Sequence, residues 1–87
     1  LETLRADVAR VDAALVALLA ERARLARSIG AAKRALGRPT LDPSREAAVA
    51  GRAAELARGA GFVAEEWARG IFWQLMAMAR RAQAERD

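Results

Sequence analysis

The chain has 87 residues, the size of one domain, and contains no Cys and no His, which excludes disulfides and leaves a soft metal without its usual ligands. Hydrophobic residues reach 54% while aromatics stay at 5%, a composition of packed helices rather than of a sandwich or barrel. The net charge is +4, but the basic residues are spread along the chain among Glu and Asp, which reads as solvated helix faces and not as a nucleic-acid footprint.

No apolar run approaches the roughly 20 residues of a membrane span, and the N-terminus lacks the apolar stretch of a signal peptide. A cytoplasmic protein with no membrane or nucleic-acid partner is expected. One lysine, Lys33, stands among 15 basic residues. In so Arg-rich a chain it marks a place where a compact ammonium suits better than a planar fork, with chance retention as the plain alternative.

The first 36 residues predict one long helix. Leu1, Leu4, Val8, Val11, Leu15, Leu18, Arg22, Leu25, Ile29, Ala32 and Leu36 alternate in steps of three and four, which puts them on one seam. Arg22 is its only charged member, and a guanidinium is costly to bury without an anion. The single interior glycine, Gly30, reads as a tolerable local weakness. Such a helix is about 54 Å long, whereas a compact globule of this chain length is roughly 30 Å across. The helix overshoots its own domain, and a second copy of the chain is the simplest cover for the rest of the seam, so an intertwined homodimer is expected.

Gly37 and Pro39 break this helix. Asp42-Pro43-Ser44-Arg45-Glu46 restarts one, with Asp as N-cap, Pro in the first position and an acid in the first turn. The second helix is expected to run to about Arg58 with Val49, Ala53, Leu56 and Ala57 inward, ended by Gly59-Ala60-Gly61. The third is expected from about Ala64 to Glu85, with Glu65 and Glu66 in its first turn. Ala68, Ile71, Phe72, Leu75, Met76 and Ala79 form its apolar stripe, and Gln83 continues the row. Trp67 and Trp73 lie off the stripe and read as packing or dimer-contact residues. The fold class is all-α: three helices, long, short and medium, in a single domain spanning residues 1–87.

Several polar residues do not fit a plain bundle. Arg22 and Lys33 project from nearly one face about 16 Å apart, close enough for long side chains to bracket a small anion. Arg5 lies about 25 Å before Arg22 and roughly 100° around the helix, so one protomer cannot bring both arginines to one small pocket. An antiparallel dimer can. Each residue also has a plain reading: Arg5 and Gln83 as surface groups, Arg22 as the polar device that fixes a coiled-coil register, Asp42 as a cap and Glu46 as a first-turn acid.

In order and spacing, Leu4-Arg5, Val11-Asp12, Leu18-Leu19-Ala20-Glu21-Arg22, Ile29-Gly30-Ala31-Ala32-Lys33, Asp42-Pro43-Ser44-Arg45-Glu46 and Gln83 resemble the all-α chorismate mutases. The resemblance covers nearly the whole chain, and its blocks are specific as a set. It implies an intertwined dimer with two equivalent sites that rearranges chorismate, a dianion, to prephenate without cofactor or metal. Arg5 of one chain and Arg22 of the other would hold the substrate carboxylates. Lys33 and Gln83 would donate to the ether oxygen, Glu46 would accept from the ring hydroxyl, Asp42 would contact substrate at the lid, and Arg45 would support the site.

A concerted rearrangement needs no nucleophile, so the lack of His and Cys costs it nothing. The protein must hold a flexible dianion in its reactive shape and stabilise charge building on one oxygen. Two features depart from the family pattern. Ala79 stands where many members carry Ser, and Arg80 and Arg81 add positive charge to the site wall. They keep open an isochorismate-pyruvate lyase or a 4-amino-4-deoxychorismate mutase. A reading of another class, a non-enzymatic helical dimerisation or nucleic-acid-binding module, explains the long helix but not the shared template of Lys33, Asp42, Glu46 and Gln83.

Overall fold

The computed structural model describes residues 1–61 and 64–85. It contains three α-helices, α1 (Glu2–Ala35), α2 (Pro43–Ala60) and α3 (Glu65–Ala84), and no strand among the described residues. The fold is all-α, with helices in the expected order of length.

The breaks are made by the residues that can make them. Gly37 takes φ 68° and its N–H donates to the Arg34 carbonyl at 3.1 Å, while the Arg38 N–H donates to the Lys33 carbonyl at 2.8 Å. This pair of bonds closes the helix in a Schellman turn that a left-handed residue permits. At the start of α2, the Asp42 side chain accepts from the Arg45 N–H at 3.0 Å, with Pro43 in the first turn. The expected end of α2 is corrected by two residues. Gly59 and Ala60 remain helical, and Gly61, at φ 71°, is the C-cap, because the helix ends only where the backbone turns left-handed.

α3 packs against both α1 and α2, which do not pack on each other. The layer measures 53 × 28 × 15 Å, and its thinnest direction has room for little more than one layer of helices, each about 10 Å in diameter. The buried residues are accordingly small, with Met76 the exception: Ala26 and Gly30 on α1, Ala50, Ala53, Ala54 and Ala57 on α2, and Ala68, Met76 and Ala82 on α3. Ala50 and Ala54 were not among the expected inward positions of α2, whereas Leu56, which was, is exposed; so is Ile71 on α3. Within one chain, α2 and α3 meet mainly through Ala53, Ala57 and Ala68, with Phe72 packed against them, since small side chains let helices approach closely.

The same displacement governs α1. The residues it turns toward α3, including Ala23, Ala26 and Gly30, lie roughly a quarter-turn around the helix from the leucine seam. The seam itself stays uncovered, with Leu4 65% and Leu18 60% exposed. Every residue from Leu1 to Leu18 is exposed, so the N-terminal half of α1 stands clear of its own chain.

Candidate active site

A cleft of about 700 Å³ opens where the second half of α1, the α1–α2 connection, the start of α2 and α3 converge. Its apolar walls come from Leu25, Ile29, Leu41, Val49 and Met76, and its polar groups from Arg22, Lys33, Arg38, Asp42, Arg45, Glu46 and Gln83, with Ala79 also on the wall. A largely apolar pocket of this size with a few convergent polar groups suits a small molecule. The sequence-derived candidates Arg22, Lys33, Asp42, Arg45, Glu46, Ala79 and Gln83 all line it. Arg5 does not. It lies on the free half of α1 and pairs with Glu2 at 3.4 Å.

Each element delivers its residues for a local reason. Arg22 and Lys33 are almost three turns apart on α1 and share a face. Lys33 is half-buried, and its Nζ donates to the Thr40 carbonyl at 2.9 Å and to Gln83 Oε1 at 3.2 Å. One ammonium thus ties α1 to the connection and to α3, and its third N–H remains to donate elsewhere. Arg22 makes no ion pair among the described residues; its guanidinium lies 5.8 Å from the centre of the Phe72 ring, a cation–π distance that gives the charge a surface without neutralising it. Asp42, as N-cap, fixes the first turn of α2 and with it Arg45 and Glu46.

Glu46 is gripped from α3. Arg80 Nη1 stands 2.6 Å from Glu46 Oε1, and the glutamate side chain is 18% exposed against 44% for the arginine. Arg80 was legible in the sequence only as extra positive charge near the wall. Its partner lies 34 residues away, and no local periodicity links the two. Arg38 also stands on the cleft wall, a place the sequence pattern does not mark.

Gly30 needs a correction. A Cβ there would stand 2.7 Å from the Gln83 Cα and 2.9 Å from its carbonyl carbon, and closer still to its carbonyl oxygen. The glycine is not a weakness but the seat on which the end of α3 rests, a close approach that only a residue without a side chain permits. Among the described residues no helix is long and apolar enough to cross a membrane.

Residues 4–84 match the family model described as chorismate mutase type II. No curated protein and no solved structure matches the chain. The family match spans nearly the whole chain, and the chain belongs to that family; it is an isomerase of the chorismate mutase kind. This sets aside the non-enzymatic helical module.

Proposed function

We propose that this member of the chorismate mutase type II family rearranges chorismate to prephenate, and that residues 1–87 act as one domain. The observation that carries the reading is the convergence of Arg22, Lys33, Arg45, Asp42, Glu46 and Gln83 on one cleft. In the reaction the ether C–O bond breaks as a C–C bond forms, with no proton moved and no covalent intermediate. Arg22 holds a substrate carboxylate, and guanidinium forks match carboxylates bidentately. Lys33 and Gln83 donate to the ether oxygen, where negative charge grows toward the transition state, so their bonds strengthen as the barrier is crossed. Glu46 accepts from the ring hydroxyl, Asp42 touches substrate from the lid, and Arg45 supports the site. No group in this scheme requires a metal or cofactor.

The working unit in this proposal is a homodimer. The uncovered seam of α1 and the alanine-built interior of one chain both favour a partner, because each large apolar side chain taken from water contributes about 1.5–3 kcal/mol. Two antiparallel copies of α1 bring Arg5 of one protomer to the cleft of the other, which supplies the second carboxylate clamp. The protein is proposed to act in the cytoplasm, in aromatic amino acid or related biosynthesis, without nucleic-acid or membrane partners.

Ala79 favours a second reading. A wall that lacks a hydroxyl at this position and carries Arg80 beside it also suits a sister dianion, which gives the isochorismate-pyruvate lyase or 4-amino-4-deoxychorismate mutase alternative. Offering chorismate, isochorismate and 4-amino-4-deoxychorismate side by side, with product identification, decides between them. Prephenate from chorismate alone supports the mutase. Pyruvate from isochorismate, or rearrangement of the amino substrate alone, rejects it.

A further inference from the structure

α1 grips the last turn of α3 from two sides. Gly30, Lys33 and Arg34 stand at positions i, i+3 and i+4 of α1, which places them on adjoining faces of one turn. Gly30 is buried and lies directly against the backbone of Gln83. On one flank, Lys33 Nζ donates to the Gln83 side-chain oxygen at 3.2 Å. On the other, Arg34 Nη1 donates to the Gln83 backbone carbonyl at 2.5 Å and Arg34 Nη2 to the Glu85 carbonyl at 3.2 Å. A turn earlier on α1, Arg27 Nε pairs with Glu85 Oε2 at 2.9 Å.

These carbonyls belong to the end of α3, which stops at Ala84. The last carbonyls of a helix have no partner within it and carry the negative end of its dipole. A guanidinium fork serves two of them at once and fixes the direction of the chain as well as its charge. The turn of α1 that offers Lys33 to the cleft therefore also fixes the backbone from which Gln83 reaches the same cleft.

We propose that Arg34, seated with Gly30, is a positioning residue for Gln83: it sets the end of α3 so that the Gln83 amide and the Lys33 ammonium meet the same atom of the substrate. This rests on Gln83 being a donor to the ether oxygen. Arg34 itself is not among the residues that line the cleft but lines a separate hollow with Arg27 and Glu85, so its effect on the reaction passes through the end of α3 that carries Gln83. Because Gln83 acts on charge that develops in the transition state, its displacement is felt in kcat more than in KM.

The test is a double-mutant cycle on the dimeric enzyme with chorismate, with circular dichroism and thermal melting on every variant. Arg34→Met keeps the volume and removes the donors; it is expected to lower kcat about tenfold to hundredfold with KM changed by less than about threefold. Arg34→Lys, which serves one carbonyl at a time, is expected to recover part of the loss. The double variant Arg34→Met/Gln83→Ala is expected to be no slower than Gln83→Ala alone. Losses that multiply, or an Arg34→Met enzyme with unchanged kcat beside a damaged Gln83→Ala, overturn the positioning role and leave the reading of Gln83 intact. An undamaged Gln83→Ala overturns that reading and the proposal with it. Gly30→Ala, which forces the two backbones apart, is expected to reproduce the Arg34→Met loss where it folds; where it does not, the Arg34 cycle decides.

Discussion

Arg80 on α3 holds Glu46 on α2 at 2.6 Å across the wall of the cleft. The pair joins two helices at the point where the ring hydroxyl of the substrate is proposed to bind, and it leaves the other carboxylate oxygen of Glu46 to accept. Removing the guanidinium frees Glu46 to swing and leaves its charge half-buried without a partner. Partly exposed ion pairs contribute on the order of 1 kcal/mol, so Arg80→Met is expected to lower kcat/KM by about threefold to tenfold. Steady-state kinetics at low and high salt check this: the wild-type advantage should shrink with added salt. A variant equal to wild type at low salt would show that Glu46 is fixed by its helix alone.

Asp42 carries both a cap and a charge in the cleft, and the two are separable. Its side chain accepts from the Arg45 N–H at 3.0 Å, a cap that alanine cannot replace and asparagine can. Asp42→Ala is expected to cost about 1 kcal/mol, or about 4–8 °C in Tm for a domain of this size, at fixed protein concentration. Asp42→Asn is expected to melt within about 2 °C of wild type. Thermal melts of both variants check the assignment, and equal losses in the two would mean that the charge, not the cap, stabilises α2.

Much of this arrangement was legible in the residues themselves. The breaks at Gly37 and Asp42-Pro43 follow from backbone chemistry, so the three helices could be read locally. The cleft residues could be named because their order and spacing match a family. What could not be read was which stripe of α1 meets α3. The eye follows leucines, yet helices of one chain pack here through Ala23, Ala26 and Gly30, whose small size permits contact without announcing it. The same reason hid the role of Gly30, and the Arg80–Glu46 and Arg34–Gln83 contacts span 34 and 49 residues, beyond any local pattern.

Arg22 and Lys33 have different roles in the proposed reaction, and their variants should differ in kind. Arg22 is proposed to bind a carboxylate that is charged throughout, so Arg22→Ala is expected to abolish turnover at ordinary substrate concentrations while the protein stays helical. Lys33 is proposed to meet charge that grows along the reaction, so Lys33→Ala is expected to lower kcat by about a hundredfold or more, as for loss of an oxyanion donor. Full kinetic curves separate the two; an Arg22→Ala enzyme with near-normal kcat/KM would remove the carboxylate from this arginine.

The exposed seam can be tested without chemistry. Leu18 is 60% exposed in one chain and sits midway along α1. Leu18→Glu places a charge where the proposed interface is apolar, and it is expected to shift sedimentation from dimer to monomer or to unfold the chain, whose own interior is built mainly from alanines. A variant that remains dimeric and active would place the interface elsewhere.

The proposed sharing of each site between two protomers makes a sharper demand. Arg5 lies outside the cleft of its own chain on a half-helix that its own chain leaves bare, whereas Lys33 lines the cleft. In an Arg5→Ala homodimer both sites lack the clamp, and in a Lys33→Ala homodimer both lack the ammonium. Mixing the two inactive proteins and allowing subunits to exchange produces heterodimers in which one site receives Arg5 from the Lys33→Ala chain and keeps its own Lys33, while the other site lacks both. With random exchange half the dimers are mixed and half of their sites are complete, so activity should return to about a quarter of the wild-type value per chain. Tagged subunits and native mass spectrometry establish that exchange has occurred. Exchange without recovery would mean that Arg5 serves its own protomer or none, and the second carboxylate clamp would have to come from within the cleft, where Arg38 and Arg45 are the remaining arginines.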